Sequence, residues 1–171
     1  SAALASDGAI ASVTPWSNAG EAAAWPRIGE IDPVPGDLER LARAAAGMPA
    51  LHPELPAAVT HAVLLRGSAR QRAGGLDADS YGSWYAALID LSLRLAGLGW
   101  RNVLCDTAFV ARRGEGIPFD GDMDAIAARW PDWHARLANF LMQDPLRASR
   151  TQLEGLLASL GPPEPQRDLF A

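Results

Sequence analysis

Asp90 and Arg94 stand four residues apart in a leucine-rich stretch that follows Tyr81, Trp84 and Tyr85. A carboxylate in such a place can meet a group on a ligand. The same spacing on a helix suits an ion pair with Arg94, and a carboxylate among leucines needs a partner of some kind. The flat faces of Tyr81, Trp84 and Tyr85, beside Gly82, can stack a sugar or a base, or can pack a helix onto a sheet. One turn before Asp90, where a paired acid would complete a catalytic couple, the chain has Ala87 and Leu88.

A second constellation is Arg112 and Arg113 followed by Gly114 and Gly116. Guanidinium groups bind phosphate oxygens in pairs and glycines allow close approach of the backbone, so these arginines can read a phosphate; the alternative is a solvated turn. The histidines fit no zinc spacing: His52 falls in a Pro-rich linker and is expected to be exposed, His61 lies mid-strand, and His134 lies on a late helix. Asp120, Asp122 and Asp124 spell D-G-D-M-D, but without the glycine and glutamate of a calcium loop they read as an acid-rich helix start. Cys105, between apolar neighbours, reads as a buried and inert thiol.

The elements that must position these groups alternate. Ala9–Val13 reads as a buried strand ending at Pro15, and Trp16–Pro35 as a long ordered loop. Asp37 caps a helix through Ala46 that Gly47 ends. Ala57–Arg66 has the content of a central strand, Ser68 caps a short helix up to Gly74-Gly75, and a longer helix runs from Ser83 to Leu98. Arg101–Asp106 is a further strand that Thr107–Ala111 can continue. Helices follow over Met123–Arg129, Pro131–Met142 and Ser149–Leu160, before a Pro-rich tail expected to fray. The pattern is α/β.

The 171 residues carry a net charge of -5, and all 15 basic residues are arginine. A chain without lysine argues against a broad nucleic-acid-binding face. No apolar run approaches the roughly 20 residues of a membrane span. The single cysteine excludes an internal disulfide and fits a reducing, cytoplasmic setting, and the first residues do not read as a secretory signal. Ser1 to Pro15 reads as a helix end, a turn and a strand, which suggests a domain cut from a longer polypeptide.

The ordered motifs carry a resemblance. Gly74-Gly75-Leu76-Asp77, then Asp90-Leu91-Ser92-Leu93-Arg94, then Leu98-Gly99-Trp100-Arg101 and Val103-Leu104 resemble the C-terminal half of family-two nucleotide-sugar glycosyltransferases of the GT-A fold. Upstream, Val13-Thr14-Pro15-Trp16-Ser17-Asn18 and Trp25-Pro26-Arg27 resemble bacterial members linked to surface polysaccharide assembly. The resemblance implies a partial GT-A, Rossmann-like sheet with flanking helices over residues 1–145 and a helical extension over 146–171. It implies transfer of a sugar from a nucleotide-sugar donor to a glycan acceptor by the complete protein, with magnesium or manganese as possible cofactor. It places Trp84, Tyr85, Trp16, Asn18 and Asp77 near substrate, Arg112 and Arg113 near the diphosphate, and Asp90 in the active site. Three departures stand against turnover. The expected base position is Leu88, the metal-holding histidine aligns with Arg112, and the D-x-D motif would lie upstream of Ser1. The alternative implied is a degenerate, non-catalytic domain that binds saccharide or docks onto a partner enzyme.

Overall fold

The computed structural model describes residues 2–58, 62–113 and 117–161. β1 (Ile10–Trp16) is buried along its whole length and forms the centre of a three-stranded mixed sheet of order β2-β1-β3. β2 (Leu64–Leu65) pairs with it antiparallel, and β3 (Arg101–Phe109) pairs with it parallel. Pro15 brings no N–H to the ladder, and the register with β3 slips between Pro15 and Trp16. The outer edge of β3 is covered by residues 53–55, where Leu104 N donates to Pro53 O at 2.9 Å and Leu55 N to Asn102 O at 2.8 Å.

The strand expected over Ala57–Arg66 is corrected. Only Leu64–Leu65 is in the sheet, at its edge, and Val59, Thr60 and His61 lie outside the described residues. Ala57 and Ala58 are buried, and Ala58 N donates to Ser92 Oγ at 2.9 Å. The small residues of this segment pack against a helix there instead of extending the sheet.

Seven helices occur among the described residues: α1 (Ala2–Ser6), α2 (Leu38–Ala46), α3 (Gly67–Arg72), α4 (Trp84–Gly97), α5 (Asp122–Arg129), α6 (Trp133–Gln143) and α7 (Arg147–Ser159). Asp37 caps α2 by accepting from Arg40 N at 2.9 Å, and Ser83 caps α4 by accepting from Ala86 N at 3.2 Å. Ser68 does not cap α3. Arg66 holds that position without a side-chain bond, and Ser68 lies inside the helix. After α3 the chain turns at Gly74 and Gly75, both at positive φ (84° and 76°), where a side chain would be strained.

α4 is buried continuously from Ala86 to Leu93 and again at Leu95, as a helix apolar on all sides must be. Ala86, Ala87, Ile89 and Leu93 pack with Tyr81, Ile126 and Trp133, joining α4 to α5 and α6. A separate cluster joins Trp16, Leu41, Leu104, Leu146 and Leu153 across β1, α2, β3 and α7. The segment from residue 146 contributes Leu146 and Leu153 to this cluster. Arg150 secures it by donating to Ala24 O at 2.7 Å and Ala22 O at 3.1 Å, pairing with Asp144, and lying over the Trp16 ring. Among the described residues no helix is long and apolar enough to cross a membrane.

Candidate functional site

Asp90 has no exposed surface, and both carboxylate oxygens are engaged. Arg94 donates to Oδ2 from Nε at 2.8 Å, while Trp130 Nε1 at 2.9 Å and the Tyr81 hydroxyl at 3.3 Å donate to Oδ1. Arg129 adds a second guanidinium 3.3 Å from Oδ1. Burial, with the Asp90 charge next in size, raises the Tyr81 phenol above its ordinary value. Arg94 also reaches Gly75 O at 2.7 Å and Ala73 O, so the Asp90–Arg94 pair fixes α4 to the glycine turn. An isolated buried carboxylate would cost several kcal/mol, and these four donors offset that cost. Asp90, the candidate catalytic residue, is thus a fully buried carboxylate with its oxygens engaged by these side chains. Leu88, at the expected base position, is 1% exposed, and Ala87 is buried beside it.

The open surface lies one turn earlier. Gly82, Ser83, Trp84, Tyr85, Arg112, Ile117 and Phe119 line a groove of about 360 Å³. Trp84 and Phe119 are 60% and 62% exposed, so the core does not use up their faces. The structure thus brings Trp84, Tyr85 and Arg112 together.

Asp122 holds the two walls in register. Its carboxylate accepts from Gly82 N at 2.8 Å and Ser83 N at 2.9 Å on one wall, and from Phe119 N at 3.1 Å on the other. Burial, the largest influence, acts to raise its pKa, but hydrogen bonds from Ser83, Gly82 and Phe119 outweigh it and hold the group below the ordinary carboxylate range. Sequence reasoning assigned Asp122 only to a helix start. Its position after Gly121, which takes φ 85° ahead of α5, was the available signal. Phe119 and Ile117 were also missed, because a lone aromatic in a polar loop carries no periodicity.

The remaining expected site residues lie elsewhere. Trp16 is fully buried in the core, and Asn18 is 2% exposed. Asn18 instead donates to Asp32 O at 2.7 Å and to Arg112 O at 3.1 Å, and accepts from Arg112 N at 2.8 Å. Asp77 accepts from Ser80 N at 3.0 Å and pairs with Arg129 at 3.1 Å, away from the groove lining. Arg113 is exposed, and Gly114 and Gly116 lie outside the described residues. His52, expected to be exposed, is buried, with Nδ1 3.5 Å from Asp106 Oδ1. Cys105, expected to be buried, is half-buried, with Sγ 3.6 Å from the Thr107 hydroxyl.

Comparison with known proteins adds no relative. The chain matches no family model, no curated protein and no solved structure. Among the described residues no cluster of three or more His, Cys, Asp or Glu side chains could hold a metal. The groove itself can stack a flat ring on aromatic faces next to a positive charge.

Proposed function

We propose that this chain is a degenerate, non-catalytic glycosyltransferase-like domain that binds saccharide in the groove lined by Trp84, Tyr85 and Phe119. One observation carries the reading. The expected base position is the buried Leu88 and the carboxylate of Asp90 is closed off by Arg94, Arg129, Tyr81 and Trp130, while Trp84 and Phe119 remain open. Sugar rings present C–H faces that bury well against indole and phenyl rings, and the volume is that of a small-molecule site. The parallel pairing of β1 with β3, with α4 leading into β3, supports a partial GT-A sheet.

Sugar transfer by the complete protein is the second reading. It is favoured by Arg112, which sits in the same groove as Trp84 and Tyr85, where a donor diphosphate would need a cation. Calorimetric titration with a panel of oligosaccharides, run beside a donor-hydrolysis assay of the full-length protein with magnesium and manganese, separates the two. The proposal expects saccharide binding without turnover. Hydrolysis or transfer above the protein-free blank overturns it.

A further inference from the structure

A second cleft, of about 220 Å³, lies where α5 gives way to α6, and it shares none of the described lining residues of the groove. Leu93 and Trp133, both buried, and the half-buried Trp130 with Pro131 make it apolar, while Asp132 and Arg136 supply one charge of each sign. The Trp130 ring is held in place by the chain itself. Its Nε1 donates to Asp90 Oδ1 at 2.9 Å, and the Arg129 guanidinium lies 5.9 Å from the ring centroid. A wall fixed in this way loses little freedom when a ligand settles on it.

Asp132 holds the N-cap position of α6 without capping it. Its backbone is helical (φ -83°, ψ -4°), and its carboxylate accepts no bond from the helix N–H groups, the usual service of an aspartate there. Arg136 N donates to Asp132 O at 2.9 Å, so the two residues stand one turn apart on one face. An acid four residues before a base is well placed to pair with it. These two do not pair. Both side chains are exposed, and among the described residues neither makes an ion pair or a side-chain hydrogen bond. Two opposite charges are thus left open at the rim of an apolar cleft.

We infer that this cleft binds a small zwitterion, a free α-amino acid with an apolar side chain, its ammonium at Asp132, its carboxylate at Arg136 and its side chain against Trp130. The volume is below the roughly 300 Å³ at which drug-sized sites begin, which suits one amino acid and is too small for an oligosaccharide. One charge of each sign favours a ligand of zero net charge, and a guanidinium takes both oxygens of a carboxylate at once. Each charged contact is exposed to solvent, so each corresponds to about a two- to fivefold gain in affinity, with dissociation constants on the order of 1 mM for so small a ligand. The inference does not rest on the saccharide reading.

The test is a ¹H–¹⁵N titration of the chain that follows the indole N–H signals of Trp130 and Trp133. The ligands are L-phenylalanine, phenylalaninamide, which lacks the carboxylate, and N-acetyl-L-phenylalanine, which lacks the ammonium. Wild type is compared with Asp132→Asn and Arg136→Gln, whose exposed side chains have no bonds to lose, so the fold is retained. The expected result is a saturable shift with L-phenylalanine, bound about two- to fivefold more tightly than either blocked form. Arg136→Gln should make L-phenylalanine and its amide bind alike, and Asp132→Asn should do the same for L-phenylalanine and its N-acetyl form. Each variant removes the partner of the group that the analogue lacks. Absence of a saturable shift at Trp130 overturns the inference, and so does equal affinity of wild type for the three ligands. A preference for the zwitterion that persists in both variants places the binding elsewhere and overturns it as well. None of these outcomes bears on sugar binding at the groove.

Discussion

Asn18 and Arg112, 94 residues apart, are joined in both directions, the Asn18 amide donating to Arg112 O at 3.1 Å while its oxygen accepts from Arg112 N at 2.8 Å. A third bond, to Asp32 O at 2.7 Å, ties the same side chain to the long loop after β1. One buried amide thus sets where the groove's cation sits. Replacing Asn18 with Ala removes three hydrogen bonds. It should cost about 2 kcal/mol in urea unfolding and weaken saccharide binding as the groove wall at Arg112 shifts. An unchanged unfolding midpoint would show that the amide carries no such role.

Asp90 anchors α4, and its removal leaves the largely buried guanidinium of Arg94 with the Ala73 and Gly75 carbonyls but without its carboxylate. Asp90→Ala is expected to destabilise the chain by about 3–5 kcal/mol in chemical denaturation, since breaking a buried pair strands its partner. A loss below about 1 kcal/mol would mean that solvent reaches this pair and that Asp90 is more open than described.

Asp122 has a depressed pKa in the folded chain, so its contribution to stability is complete above the unfolded value of about 4 and is lost as pH falls through the lower folded value. Asp122→Asn should lower stability at neutral pH and flatten the decline between about pH 5 and pH 2. Unfolding midpoints measured across that range check the slope. An identical acid limb in both proteins would detach Asp122 from the acid response.

How much of this could be read from the residues depended on the range of the interactions concerned. The helix starts at Asp37 and Ser83 were legible because a cap and its N–H lie within three residues of each other. β3 was legible from the apolar residues Val103, Leu104 and Cys105 at its centre. The short edge strand β2 was not, because burial of Ala57 and Ala58 against α4 is a tertiary outcome that a strand-like composition does not reveal. His52 read as exposed since its partner Asp106 is 54 residues further on. Trp16 and Asn18 sit in a motif suggestive of a donor site, but Arg150 and Arg112, far along the chain, determine their surroundings. At the groove, Trp84, Tyr85 and Arg112 were legible by type. Their meeting was not, nor was the part of Phe119.

Gly82 tests the shape of the groove separately from its charge. A Cβ added there would meet Phe119 Cδ2 at 2.8 Å, while the 62% exposed Phe119 ring is able to swing outward. Gly82→Ala should therefore change stability by less than about 1 kcal/mol and still reduce saccharide affinity several-fold by moving one stacking face. Binding that is unaffected by the substitution would exclude Phe119 from the contact.

The most direct test of saccharide binding at this groove follows the six tryptophan indole N–H resonances in a ¹H–¹⁵N spectrum during titration with the tightest-binding oligosaccharide of the calorimetric panel. Trp84 is 60% exposed in the groove and its signal should shift in a saturable way, while that of Trp16, fully buried in the core, should stay where it is. A titration in which Trp84 remains still, or in which Trp16 moves without it, would contradict the account.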